Sequence, residues 1–282
     1  MKILRLLLFV VVFLMPGFSN AGDSTAFESV LRLSDGRIIT AKQMIEDIKR
    51  SSVIFVGETH DNLQHHKAQL SIIKALNAMH VPVAIGLEMF RATSQKELDQ
   101  WVDGAMPMGD FVQVYHDNWA MPWPWYMNIL QYARFSDIPL LGLNIPGEIT
   151  EKVSKNGMGA LTPNELKQLP SGMTFEDDEK DRVSLRKIYE AHGKNDATFD
   201  NFYKAQKVWD KTMAYHLMNY LKKNPSRSVV VLAGVDHARK RGIPEEIRRQ
   251  AMYRLAVILP EVPGRLERTS ATIEDADYLL LE

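Results

Sequence analysis

Five short apolar runs, separated by longer stretches of helical pattern, constrain the fold of this chain more than any other feature. Each run is rich in Val, Ile, Leu or Ala and is uninterrupted by polar side chains, as is typical of strands buried on both faces of a parallel sheet. Strands that alternate with helices predict an α/β fold, with a mostly parallel central sheet flanked by helices. The runs are residues 53–56, 83–87, 139–143, 229–233 and 255–259.

A helical insertion is predicted between the third and fourth runs. Residues 150–223 hold only helical patterns, and Thr162 has the position of a cap before one of these helices. An Asp-Gly turn between two β-favouring stretches predicts a small hairpin at residues 30–40. The other predicted helices cover residues 41–50, 62–79 and 124–135.

The first 21 residues have the pattern of an export signal. Lys2 and Arg5 precede an apolar run at residues 6–15, and small side chains occupy the two positions that a signal peptidase reads. Cleavage after Ala21 would leave residues 22–282 as a single domain. The apolar run is shorter than the roughly 20 residues that a membrane-spanning helix needs, and no later segment of that length lacks charges. An uncleaved anchor is the alternative.

The amino-acid composition excludes several kinds of site and limits the compartments in which the protein is expected. The chain has no cysteine, which excludes thiol redox chemistry, thiolate metal sites and the Cys on which a lipoprotein anchor is built. With the export signal, this predicts a periplasmic protein without a lipid anchor. Lys and Arg number 34 against 35 Asp and Glu, so the formal charge of −1 offers no electrostatic footprint for nucleic acid.

Ionisable side chains follow the predicted strands at the points where they end. Glu58 and His60 follow the first run, Glu88 follows the second and His237 follows the fourth. Because the carboxyl ends of parallel strands meet at one edge of a sheet, we expect these four residues to rim a common hollow.

Two of these strand ends share the spelling Gly-x-x-His, at Gly57 to His60 and at Gly234 to His237. Glycine lets the chain turn sharply out of the strand, so that the histidine projects toward the crevice. His60, Glu88 and His237 could hold a divalent metal that activates water for hydrolysis, or serve without metal as general acid and base. Alternatively, each histidine forms hydrogen bonds within its own turn and has no joint role.

Two further histidines, His65 and His66, follow His60 on the same predicted helix. Neither has the spacing of three or four residues that would put it on the face of His60. We therefore interpret both as packed or solvated side chains rather than as ligands.

Aromatic residues concentrate between residues 101 and 125, where four of the five Trp lie. Within this region, residues 119–126 are too rich in Pro for a helix interior and too aromatic for an ordinary exposed loop. It would suit a flat hydrophobic ligand such as a porphyrin, or local packing between loop and sheet.

Read together, six segments resemble the ChaN-like haem-binding uptake family. The resemblance covers about residues 40–260, and the wider superfamily includes erythromycin esterases and the Tiki metalloproteases, in which two Gly-x-x-His motifs and a Glu form the site. The segments are FVGETHDN from Phe55, GLEMF from Gly86, GLN from Gly142, QKVWDKTMA from Gln206, AGVDH from Ala233 and GIP from Gly242.

This resemblance implies an exported protein of haem or iron uptake. Such a protein would bind haem through a Tyr ligand at a homodimer interface and work with haem-transport components. Tyr189, Tyr203 and Tyr126 are the candidate ligands, and His192 and Lys194 beside Tyr189 are candidate contacts for the haem propionates.

The wider superfamily implies a second, alternative function. Its site matches Glu58, His60, Glu88 and His237, which would make the chain a metal-dependent esterase or peptidase. Members of the ChaN-like family are often lipoproteins, whereas this chain has no Cys at the end of its signal. A free periplasmic location is therefore expected.

Overall fold

The computed structural model of the chain describes residues 27, 29–175, 178–191 and 198–281. The predicted export signal lies outside the described residues, as do His192 and Lys194. The described strands are β1 (Ser29–Arg32), β2 (Arg37–Thr40), β3 (Val53–Glu58), β4 (Val83–Arg91), β5 (Leu140–Asn144), β6 (Ser228–Gly234), β7 (Leu255–Pro260) and β8 (Tyr278–Leu280).

All of these strands belong to one sheet, in the order β2-β1-β8-β7-β3-β6-β4-β5. The pairs from β8 to β5 are parallel, and the hairpin of β1 and β2 adds an antiparallel edge. The predicted α/β fold with a mostly parallel sheet is therefore confirmed, as are all five strand predictions. β8 was missed because its three residues are too few for a periodic signal.

Helices cover both faces of the sheet. Alternate residues of β3 point to opposite sides: Ile54 and Val56 belong to one core cluster, and Val53 and Phe55 belong to the other. The first core is closed by α1 (Ala41–Ile48), α2 (Leu63–Ala78), α3 (Gln95–Val102), α4 (Met108–Asn118) and α5 (Trp123–Phe135), and the second by α9 (Phe199–Lys223), α10 (Val235–Ala238) and α11 (Ile243–Arg248).

The described elements between β5 and β6 are helical, as the sequence predicts for residues 150–223. They are α6 (Gly147–Asn156), a short 3-10 turn, α7 (Pro163–Leu166), α8 (Glu179–Ala191) and α9. Thr162 caps α7 as expected, since its hydroxyl accepts from the Glu165 backbone while the Glu165 carboxylate accepts from the Thr162 backbone. Within the described residues, no helix is both long and apolar enough to cross a membrane.

The aromatic stretch between residues 101 and 125 is used for packing. Trp101 is fully buried, stacks on Phe111 with ring centroids 4.2 Å apart, and donates its indole N–H to the Leu130 carbonyl. Tyr115 and Trp123 complete the cluster. Packing therefore accounts for Trp101 and Trp123, whereas Trp119 lies against the His60 ring.

Strand β5 lies at the sheet edge and depends on a close backbone approach. The Gln95 amide donates to the Leu140 carbonyl at 2.8 Å and accepts from the Gly142 N–H at 3.1 Å, so one side chain satisfies part of the exposed edge. A Cβ atom at Gly142 would collide with the carbonyl group of Arg91 on β4. Only glycine allows the two strands to approach this closely.

We predict that Gly142→Ala destabilises the protein by about 1–3 kcal/mol, because the neighbour that must give way is backbone. The matched control is Gly147→Ala at the start of α6, where an added Cβ has no neighbour within 4 Å. Urea unfolding of both variants measures the difference. Equal midpoints for the two variants would show that the approach of β4 and β5 is not tight.

Candidate functional site

The ends of three neighbouring strands carry the site. β3, β6 and β4 are adjacent in the sheet, and Glu58 and Glu88 both lie on strands whose carboxyl ends face the same edge. The sequence pattern places Glu88 after its strand. β4 continues to Arg91, however, so Glu88 lies within the strand. His60 follows β3, and His237 lies in the short helix α10 directly after β6.

Glu58 is the buried centre of one half of the site and is only 1% exposed. Its carboxylate accepts hydrogen bonds from the Tyr126 hydroxyl, from the Gln69 amide at 2.8 Å and from His60 Nδ1 at 2.8 Å. His66 Nε2 lies 3.4 Å from the second oxygen. Burial alone would raise the pKa of Glu58, but the two histidines outweigh it and lower the pKa to about 2.

His60 is held in one orientation above the sheet. Its Nδ1 atom faces Glu58, and its ring meets Trp119 edge to face at 5.0 Å. The other side of the ring lies against Gly234, where an added Cβ would lie 3.2 Å from His60 Nε2 and 3.7 Å from Glu88 Oε2. Burial lowers the pKa of His60, but the hydrogen bond with Glu58 and the charge of Glu88 raise it above its ordinary value.

Glu88 lies between the two Gly-x-x-His turns. One carboxylate oxygen accepts the Gly234 N–H at 2.6 Å, and the other lies 3.9 Å from His237 Nε2. The Asn144 side chain donates to the Glu88 carbonyl and fixes the strand at this point. Glu88 therefore contacts the second Gly-x-x-His turn directly, and its charge also acts on His60.

His237 forms the second half of the site. Its Nδ1 atom lies 2.7 Å from Asp210 Oδ1, and its ring meets Trp209 at 5.7 Å in a T-shaped contact. Burial alone would lower the pKa of His237, but Glu88 and Asp210 outweigh it and raise the pKa to about 9. The imidazole is therefore protonated at neutral pH.

The structure brings together the four residues that the sequence placed at the strand ends, but it does not support the predicted metal centre at His60, Glu88 and His237. Within the described part of the chain, no three His, Cys, Asp or Glu side chains form a group that could hold a metal ion. One oxygen of Glu88 already accepts a hydrogen bond from the Gly234 N–H. We therefore derive no chemistry through a metal.

The interpretation of His65 and His66 needs one correction. α2 begins at Leu63, so His60 lies outside the helix and helical spacing from it has no meaning. Both residues are packed, as expected, with exposures of 4% and 3%. His66, however, packs on Tyr126 at 4.3 Å and contacts Glu58, so it belongs to the site.

Asp210 was quoted in the sequence only as part of a motif, and its role was missed. It lies on α9, 27 residues before His237, and no spacing rule links the two. The signal that could have found it is an acidic side chain on the apolar face of a long helix, next to a Trp. A buried acid in that position needs a partner.

The three candidate haem-ligating tyrosines are all buried, at 1% to 3% exposure. Tyr126 lies in the strand-end site, where its hydroxyl donates to Glu58. Tyr189 contacts the Thr198 hydroxyl, and the Tyr203 hydroxyl accepts from the Asp178 backbone at 3.4 Å. His192 and Lys194 lie outside the described residues.

Tyr189 and Tyr203 share an aromatic cluster between α8 and α9. Its members are Leu185, Tyr189, Phe199, Phe202 and Tyr203. Two guanidinium groups lie over these rings: Arg186 is 4.2 Å from the Phe199 centroid, and Arg182 is 4.9 Å from that of Tyr203. Aromatic faces beside cations suit a flat apolar ligand that carries carboxylates.

Comparison with known proteins places these two sites in context. Residues 44–247 match a family described as haem-binding uptake, Tiki superfamily, ChaN. The fold is similar to that of ChaN of Campylobacter jejuni, whose structure shows cofacial haem binding: 23% of residues are identical, the match covers 89% of this chain and 95% of that one, and the TM-score is 0.71. An erythromycin esterase in its open conformation has 14% identity and a TM-score of 0.49, with 78% and 72% of the two chains covered. No curated protein matches in sequence.

We predict that Glu58→Gln destabilises the protein by about 3 kcal/mol at neutral pH, because it removes the charge that balances buried donors. The pKa of Glu58 is lowered from 4.5 to about 2, so the stability that it contributes is full above pH 4.5 and is lost as the pH falls toward 2. The gap between wild type and variant should close over that interval in urea unfolding.

The matched control for this prediction is Glu151→Gln. Glu151 pairs with Lys155 on the surface of α6, where solvent screens the charge. Its loss should change stability little at any pH. A constant gap between wild type and Glu58→Gln from pH 7 to pH 2 would contradict the lowered pKa.

Proposed function

Because the chain belongs to the ChaN family of haem-binding uptake proteins in the Tiki superfamily, we propose that it binds haem and serves haem or iron uptake. The family match carries this proposal, since it covers residues 44–247 and so includes both the strand ends and the helix pair α8 and α9. The Campylobacter ChaN whose fold is similar binds haem cofacially, which supports the same function here.

The cluster between α8 and α9 is the proposed haem site. A tyrosine phenolate is a ligand that haem iron accepts, and arginines suit the propionates. Tyr189 and Tyr203 are the ligands we propose, with Arg182 and Arg186 beside them and with His192 and Lys194 as further propionate contacts. Tyr126 is the third choice of ligand, because its hydroxyl already donates a hydrogen bond to the Glu58 carboxylate.

Tyr189 and Tyr203 are both buried within the aromatic cluster between α8 and α9. Neither phenol reaches solvent, so ligation through either one requires α8 to separate from α9. A homodimer that holds haem between two copies of this surface would replace the lost contacts. Transfer to haem-transport components in the periplasm completes the proposed role, and export through the first 21 residues stays a prediction of the sequence.

We predict that haemin added to the chain without residues 1–21 gives a Soret band that is shifted and sharpened relative to that of free haemin, and that Tyr189→Phe or Tyr203→Phe reduces this change because the iron loses its oxygen ligand. Tyr215→Phe is the control, since Tyr215 lies on α9 but is 41% exposed and outside the cluster. Light scattering with and without haemin tests the dimer.

The outcomes of the haemin experiment separate the parts of the proposal. A Soret band in the wild type that is identical to that of free haemin would remove haem binding altogether. Unchanged spectra in the Tyr189, Tyr203 and Tyr126 variants would remove only the Tyr ligand. A particle mass that stays monomeric after haemin is added would remove the shared site.

Hydrolysis at the strand ends is the second candidate function. The specific observation is that two histidines, each bonded through Nδ1 to its own carboxylate, both lie within the influence of a third carboxylate, Glu88. In an ester or peptide hydrolysis, His60 Nε2 would take a proton from the attacking water, and protonated His237 would donate the Nε2 proton to the leaving group. This reading uses the arrangement without a metal.

We predict that any esterase or peptidase activity of the wild type falls at least about 100-fold in His60→Ala, because the proton acceptor is lost. His116→Ala, on the exposed face of α4, is the control. A chelator should leave the activity intact. Activity that survives in His60→Ala would leave the strand-end cluster without a catalytic role, and activity abolished by the chelator would restore the metal.

A further inference from the structure

A network of buried charges lies beneath the strand-end site, on the side of His237. Four of its members are 4% exposed or less: Asp181, Lys207, Asp210 and Glu246. Charges taken this far out of water persist only where each one has partners. With His237, Lys211 and Arg239, they connect α8, α9 and α11 to the turn after β6.

Asp210 stands between His237 and the rest of this network. One carboxylate oxygen lies 2.7 Å from His237 Nδ1, and the other lies 3.7 Å from the Lys207 ammonium group. Both oxygens therefore have a partner. The carboxylate has a fixed orientation, and so does the imidazole that it contacts.

Lys207 holds three acids together. Its ammonium group lies 3.1 Å from Asp181 and 3.2 Å from Glu246, in addition to its contact with Asp210. Burial alone would lower the pKa of Lys207, but these three carboxylates raise it above its ordinary value. Without this cation, the three acids would keep only Arg239, Lys211 and His237 as counter-charges.

The two Gly-x-x-His turns turn out to be built alike. His60 has Nδ1 on a carboxylate and a Trp in edge-to-face contact, and His237 has the same two features. The carboxylates differ in origin. Glu58 belongs to the same turn as His60, whereas Asp210 comes from α9, on the opposite side of the sheet from α2.

We propose that Asp210 is the positioning residue for His237, that it is the counterpart of Glu58 for His60, and that Lys207 holds Asp210 in place. A carboxylate on Nδ1 keeps the proton on that nitrogen and leaves Nε2 on the side of Glu88. This assignment rests on the proposed hydrolytic role of the strand ends for its purpose, while its geometry can be tested without any substrate.

The test is ¹⁵N and ¹H NMR of the histidine rings in the full mature chain, with His237→Gln used to assign the signal. In the wild type, we expect a low-field proton on His237 Nδ1 that exchanges slowly. Asp210→Ala should abolish this signal, and the isosteric Asp210→Asn should shift it upfield. A wild-type His237 that carries no proton on Nδ1 would overturn the proposal even if every variant fails to fold.

Lys207→Met and Lys211→Met provide a matched pair for the second half of the proposal. Both lysines lie on α9, but Lys211 contacts Glu246, whereas Lys207 contacts both Glu246 and Asp210. The His237 signal should shift in Lys207→Met and stay in Lys211→Met. The same signal in both variants, or a signal unchanged in Asp210→Ala, would refute the role.

The NMR result and the hydrolysis result fail independently. Loss of the Nδ1 proton in Asp210→Ala, with no hydrolytic activity found in the wild type, supports the positioning and removes the enzymatic role. If activity is found, Asp210→Asn should lower kcat more than it changes KM, because the group acts on the ring rather than on the substrate.

Discussion

Glu58 carries a negative charge at the end of a central strand, almost wholly removed from water, and much of the surrounding structure supplies its donors. Gln69 comes from α2, Tyr126 comes from α5, and His60 comes from the turn that follows β3. A buried carboxylate without such donors would cost several kcal/mol. The second turn of α2, the start of α5 and the orientation of His60 are therefore linked through one side chain, and a change in any of these elements alters the site.

The opposite half of the site solves the same electrostatic problem with a larger network. Asp210 contacts His237 on one side and the Lys207 ammonium group on the other. Lys207 in turn contacts Asp181 on α8. The helix that carries Tyr189 is thus tied by buried charge to the helix that holds the strand-end site in place. The proposed haem site and the strand ends share α9, and the physical tie between them is ionic rather than apolar.

Sequence reasoning was most reliable where the signal is local and periodic. The five buried strands, the hairpin, the cap at Thr162 and the α/β class were all predicted from the order of residues. The site was predicted in part, because parallel strands must end at a shared edge. A metal centre is not supported within the described residues: residue types show what could ligate a metal, but not whether the side chains come together in a group that could hold one.

What the sequence determined by itself is which residues stand at the strand ends, since alternation of strand and helix sends every such turn to one side of the sheet. Tertiary structure alone decided how those residues are charged and oriented. Asp210 meets His237 only because α9 packs against the sheet, and Tyr126 meets Glu58 across 68 residues of chain. Contacts between distant elements depend on packing, which no local pattern encodes, and burial then makes those contacts strong.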